Sequence, residues 1–422
     1  MKEKSAYNPR HFWFGVFTAF ATLGLIGVGG VVTSKGVGMA VPDWPNTYGY
    51  NMFFFPFSQW VGGILWEHSH RLFASGVGLL TLILAIWFFG RAGRKFLRYV
   101  VSPLFGLAGL WAYSLDSPRL QDAVFLLGTS AVCLVASFLW PRCAPARPLL
   151  RSLGVVALVA VIGQGILGGL RVTLFADHIG IVHASLAQGF FVLMCSVALI
   201  SSRWWERLSV PASSSPTPRW LRWALALLTT AVLGQLILGA SMRHQHAGVA
   251  VPRFPLWAYG ELWPATDDEA LAALNRERID YRDFNPVTKA HINLHMSHRV
   301  LALGIVAFAA LLTLVSLYRL PKGHGLSIGV TLLFSLICFQ ALLGAATVWS
   351  NKAADIATLH VVLGAVTLAL SGLLSIIAFR LSLPMAQPVV RRREQDAESE
   401  QDAEKMAAVA ERPTASMVHT LF

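Results

Sequence analysis

The chain has 422 residues, of which 55% are apolar and 13% charged, and its mean hydropathy is +0.57. Soluble domains carry about 25% charged residues, so this composition excludes a soluble enzyme and describes a polytopic membrane protein in contact with lipid. The net charge of +12 reports membrane orientation, not a nucleic-acid surface, because basic residues in such chains collect in cytoplasmic loops.

At about 20 apolar residues per span, the windows at about 11–34, 67–90, 97–115, 121–140, 150–174, 178–201, 219–242, 291–318, 326–349 and 356–380 predict ten transmembrane helices. The first is too long for a signal-peptide core and lacks a small-residue cleavage site, so it is expected to stay in the mature protein. One set of loops carries Arg91, Arg94, Lys95 and Arg98; Arg142, Arg147 and Arg151; Arg203, Arg207, Arg219 and Arg222; and Arg319 and Lys322. The four short loops of the other set carry one basic residue each, Lys35, Arg119, Arg171 and Lys352. Lys2, Lys4 and Arg10 at one end and Arg391, Arg392 and Arg393 at the other join the richer side, which places both termini in the cytoplasm.

Two longer outer segments, 35–66 and 243–290, are rich in aromatic residues. In the first, Tyr50 to Pro56 suits a stretch lying in the membrane interface. In the second, Thr266-Asp267-Asp268-Glu269 has the spacing of a capping box and predicts a surface helix near 267–278. Residues 381–422 form a cytoplasmic tail with no long apolar run, expected to be disordered or loosely helical. Cys133, Cys143, Cys195 and Cys338 fall in or beside apolar runs and have neither metal-site nor disulfide-framework spacing.

The chain repeats itself. Gly29, Gly38, Val41, Pro42 and Pro45 recur 210 residues later as Gly239, Gly248, Val251, Pro252 and Pro255. His70-Arg71 recurs as His298-Arg299, Gln164 to Gly168 as Gln340 to Gly344, and His183 as His360. Setting aside a hairpin at about 97–140 leaves four helices per half, and an even number gives both halves the same orientation about an axis along the membrane normal. The predicted fold is therefore all-α: two pseudo-symmetric four-helix bundles, 11–201 and 219–380, with one inserted helical hairpin.

Ionisable residues inside a span are costly and point to function. His70, His183, His298 and His360 fall about one turn into four spans that all begin on the outer side. Two imidazoles facing each other across a bundle can supply both axial ligands of a heme iron, which would make two sites, His70 with His183 and His298 with His360. The competing reading bonds each imidazole to a backbone carbonyl or polar neighbour. Arg71 and Arg299 lie where a guanidinium could hold a heme propionate, or where it simply snorkels to the interface. Gly168 and Gly169, with Gly344, Ala345 and Ala346, leave room for a flat macrocycle or for close helix contact. Glu67 stands one helical turn before His70, whereas its counterpart is His295; the carboxylate suggests proton chemistry in the first half and electron transfer in the second, against the alternative of a helix cap. His68 and His295 are left open as extra polar groups or alternative ligands. His244, His246 and His291 fall in the outer loop, where solvation is expected.

Glu67-His68-Ser69-His70-Arg71, the stretch from Gly29-Gly30 to Pro42-Asp43-Trp44-Pro45, Gln164 to Gly169 leading to His183, and the second-half equivalents ending in His360 resemble the heme A synthase family. These are membrane enzymes that convert heme O to heme A for cytochrome c oxidase. The resemblance implies that His70 and His183 flank the substrate heme O with Glu67 as catalytic carboxylate, and that His298 and His360 ligate a resident heme b. It also implies a multi-pass protein of the inner (cytoplasmic) membrane with both sites toward the outer face. Heme O synthase as donor, an unidentified electron acceptor and a homo-oligomer are the partners it leaves open. The chain departs from the family in the extra hairpin and in having no cysteine in an outer loop, which rules out a cysteine-pair relay. A bis-histidine cytochrome b that leaves its heme unaltered, and a transporter relaying protons through histidines, are the competing readings.

Overall fold

The computed structural model describes residues 7–115, 120–141, 143–208, 218–255, 263–277 and 285–382. The predicted tail beyond 382 and the charges at Lys2, Lys4, Arg119, Arg142 and Arg391 to Arg393 lie outside the described residues. In chain order the helices are α1 (Pro9–Ser34), α2 (Gly62–Phe88), α3 (Arg91–Phe96), α4 (Ser102–Tyr113), α5 (Leu120–Leu139), α6 (Pro148–Leu174), α7 (Asp177–Ile200), α8 (Arg203–Arg207), α9 (Arg219–His244), α10 (Asp268–Arg276), α11 (Lys289–Arg319), α12 (Gly325–Trp349) and α13 (Ala354–Ser382). A π-helical turn, Leu97–Val101, joins α3 to α4, and ten helices among the described residues are long and apolar enough to cross a membrane. The protein is a multi-pass, all-helical membrane protein.

Polar side chains inside the spans close their hydrogen bonds locally, as a lipid surround requires. Thr18, Thr22 and Thr33 on α1 each donate to the carbonyl four residues back. Asn8 caps α1 by accepting the Arg10 N–H, with Pro9 opening the helix.

Helices α1, α2, α6 and α7 pack in a ring, and so do α9, α11, α12 and α13. Between the rings α1 meets α13, α7 meets α9, and α7 meets α13. Exchanging α1 with α9, α2 with α11, α6 with α12 and α7 with α13 maps every one of these contacts onto another. A pseudo-twofold axis along the membrane normal produces that pattern. Apolar packing concentrates at one end of the rings: Leu84, Phe88, Met194 and Val197 in one, and Leu221, Leu225, Leu228 and Leu333 in the other. These residues lie toward the helix ends away from the histidines, so the bundle is tight there and opens around the imidazoles.

Helices α4 and α5 pack chiefly on each other. Ser102 and Ser130 exchange hydroxyl-to-carbonyl bonds of 2.9 and 2.7 Å, and Leu127 covers Gly109 where a Cβ would meet it at 2.8 Å. Leu104, Leu107, Trp111 and Phe138 stay exposed, as lipid-facing positions do.

Three expectations are corrected. Helix α2 begins at Gly62, not 67, because Gly62 to Trp66 continues the helix into the interface. The surface helix exists, but its cap is Asp267, one residue after the predicted Thr266, and it accepts the Ala270 N–H at 2.9 Å. A capping box forms instead at the start of α11, between Thr288 and His291.

Candidate functional site

His70 on α2, His183 on α7, His298 on α11 and His360 on α13 all line one cavity of about 2230 Å³. Ordinary ligand pockets measure roughly 300–1,000 Å³, so this space suits large guests. The histidines are deeper than predicted. They stand six to nine residues inside their helices, which at 1.5 Å per residue is about 9–14 Å.

Each imidazole lies against a glycine of a neighbouring helix. A Cβ would approach the ring Cε1 to 3.0 Å at Gly29 (His70), 3.4 Å at Gly168 (His183), 3.3 Å at Gly239 (His298) and 3.3 Å at Gly344 (His360). The repeated glycines therefore seat the imidazoles. In all four rings Nδ1 is buried without a hydrogen-bond partner among the described residues, and all four histidines line the cavity. His70 is near enough to His183, and His298 to His360, for each pair to feel the other's charge. Among the described residues no cluster of three or more His, Cys, Asp or Glu could hold a bare metal ion. Pairs of imidazoles without carboxylates or thiolates are a donor set for an iron already held in a macrocycle, which needs only two axial ligands.

Glu67 is buried, with 3% of its surface exposed. Its Oε2 accepts the Val41 N–H and its Oε1 pairs with Arg71, both at 2.8 Å. Arg71 also donates to the carbonyls of Val41, Asp43 and Asn46. The second half repeats the arrangement: His295 Nδ1 accepts the Val251 N–H at 3.3 Å, and Arg299 donates to the carbonyls of Val251 and Arg253. Both arginines line the cavity but are committed to pinning the outer loops. His68 turns away from the cavity, bonds Thr47 at 3.2 Å, and packs against Phe55 and Trp60.

Sequence reasoning missed three cavity residues. Arg171 ends α6, Arg243 and His244 end α9, and all three face the cavity where the two rings meet. His244 is buried against Gly180 and is no solvated loop residue. Arg243 bonds the Gly30 carbonyl and the Ser34 hydroxyl of α1. Glu67 and Asp177 lie near enough to Arg171 to act on its charge, yet among the described residues neither Arg171 nor Arg243 has a carboxylate within ion-pair distance. An arginine inside an apolar helix was the available signal.

A family model named COX15-CtaA and described as cytochrome oxidase assembly protein matches residues 124–371, more than half of the chain. The chain belongs to the COX15-CtaA family. The stretch of this COX15-CtaA protein that matches includes His183, His298 and His360, whereas Glu67 and His70 precede it. The heme A synthase of Shewanella oneidensis is similar at 25% identity over 232 residues, which cover 48% of this chain and 65% of that protein.

Proposed function

We propose that the protein is a heme A synthase, which oxidises a methyl substituent of heme O to a formyl group for cytochrome c oxidase. The observation that carries this reading is the duplicated pair of imidazoles around one cavity, with a carboxylate beside only one pair. His70 and His183 hold the substrate heme O. His298 and His360 hold a resident heme b, which when bound supplies a one-electron redox centre. Glu67, beside His70, accepts protons released as the methyl group is oxidised. Arg71 and Arg299 act on the macrocycles indirectly, by fixing the loops over them. Arg171 and Arg243, which lack carboxylate partners, meet the propionates by charge-assisted hydrogen bonds. The sites face the outer side of the cytoplasmic membrane, with both termini inside.

One observation favours the rival bis-histidine cytochrome: Glu67 makes the same backbone contact as His295, and that contact alone needs no catalysis. Supplying heme O to membranes containing the protein, then extracting the pigments for mass analysis, separates the two. A formyl-bearing product is expected. Recovery of unaltered heme O from protein with intact histidine-ligated spectra would establish the cytochrome instead.

A further inference from the structure

Around the histidines the two halves line the cavity alike, and below them they part. On α2 the lining reaches Leu82, twelve residues past His70; on α11 it stops at Val306, eight past His298. On α6 it reaches Leu158, ten residues before Gly168; on α12 it stops at Ile337, seven before Gly344. Both walls of the first half thus run about 5 Å deeper, while the linings on α1 and α9 and on α7 and α13 end at equivalent positions. In the second half the counterpart of Leu158 is Phe334, packed against the apolar core.

The groove also opens sideways. Gly78 and Gly165 have open space where a Cβ would stand, and their counterparts are Val306 and Ala341. Leu79 and Ile162 line the cavity although 57% and 54% exposed, so here the cavity meets the lipid-facing surface. On α11 and α12 the exposed lining residues are Val300, Leu303 and Ala341, nearer the level of the histidine.

We infer that the groove between α2 and α6 holds a long apolar chain attached to the macrocycle, namely the isoprenoid substituent that heme O carries and heme b lacks. This rests on the reading of His70 and His183 as the substrate site. Lipid tails are as apolar as the groove, so burial alone gives little preference for it over the bilayer. Selectivity comes from room: the first half accommodates the chain, while the Val306 side chain narrows the second half and Phe334 closes it below. The opening toward lipid lets the chain enter from the membrane.

The test uses full-length protein in lipid nanodiscs carrying His298→Ala, so that only the first site reports, titrated with heme O and with heme b by absorbance. Introducing Gly78→Val and Leu158→Phe should weaken heme O binding about tenfold or more and leave heme b binding unchanged. Unchanged heme O affinity, or an equal loss for both hemes, overturns the groove. The reciprocal pair, Val306→Gly with Phe334→Leu in a His70→Ala background, should give the second site a gain in heme O affinity; no gain overturns the claim that these side chains exclude the chain. In protein with an unaltered groove and His298→Ala, adding His70→Ala should abolish heme O binding. Retained binding there overturns the site reading itself, whatever the groove variants show.

Discussion

The two halves share one scaffold and differ in what is mounted on it. In each, a valine N–H is held by the side chain one helical turn before the histidine, and the same valine's carbonyl is held by the arginine that follows the histidine. In the second half an imidazole serves this latch, so scaffolding alone does not require a carboxylate at Glu67. Gln340 donates to the His360 carbonyl at 2.6 Å, whereas both amide atoms of Gln164 are buried without partners. Gln340 thus braces the backbone of a ligand-bearing helix, while Gln164 makes no such bond, although unpaired buried atoms, Gln340 Oε1 among them, occur in both halves. A fixed brace in one half and none in the other suits a resident cofactor and a transient substrate.

The harshest way to break this comparison is to remove one ligand at a time. His298→Ala or His360→Ala should empty the second site, and His70→Ala or His183→Ala the first, so bound iron per chain falls by about half in each case. Pyridine hemochrome assay against protein concentration measures it. If a single loss strips both sites, the halves do not bind independently.

Glu67 sharpens the contrast further. Glu67→His copies the second half and keeps an acceptor for the Val41 N–H, so heme content and melting temperature should stay near wild type. Turnover of heme O should fall about 100-fold or more, the usual range for losing a positioned proton acceptor. Both changes unpair Arg71, but Glu67→Ala also leaves the buried Val41 N–H without its acceptor and should cost about 3 kcal/mol of stability. Near-normal turnover in Glu67→His would reduce the carboxylate to a latch.

Much of this was legible in the sequence because the deciding signals are local or repeated. Ten spans follow from hydropathy, and the repeat picks out His70 over His68, since only His70 has a counterpart ahead of an arginine. The structure then turns His68 into the loop and His70 into the cavity, as residues two apart on a helix point to nearly opposite sides. Helix starts were less legible, because Gly62 to Trp66 reads as loop in hydropathy while remaining helical at the interface. Arg171, Arg243 and His244 could not be placed, because their meaning depends on where α6, α7 and α9 converge. No local pattern encodes that convergence.

Those arginines give the next prediction, in which two signs must oppose. Arg171→Leu removes a cation lacking a carboxylate partner, so heme-free protein should gain stability or stay unchanged. Heme binding should weaken by about 1.5–3 kcal/mol, the worth of a hydrogen bond to a charged group. Thermal unfolding of heme-free protein and spectral titration read the two signs separately. Weaker folding together with weaker binding would instead mark Arg171 as part of the frame.

The smallest expected effect concerns how the outer loops are braced, which also differs between halves. In the second, Asn275 on α10 exchanges hydrogen bonds with the Val287 backbone at 2.7 and 3.0 Å. In the first, the brace comes from the inserted hairpin: the Asn51 backbone N–H donates to Gln121, its side-chain amide donates to Asp122 at 2.8 Å, and Phe53 stacks on Phe125 at 4.7 Å. The segment so held carries Phe55, which packs on His68 two residues from His70. Asn51→Ala removes the amide bond to Asp122 and the Phe53 N–H bond that Asn51 accepts, while the backbone bond and the stack persist, so it should cost about 1–2 kcal/mol. Hydrogen exchange should speed up at residues 47–55 and stay unchanged at 247–255. Adding Asp122→Ala to Asn51→Ala should cost little more, because Asn51→Ala already deletes the bond that Asp122 makes. Fully additive costs would mean that the hairpin does not restrain this loop through Asn51.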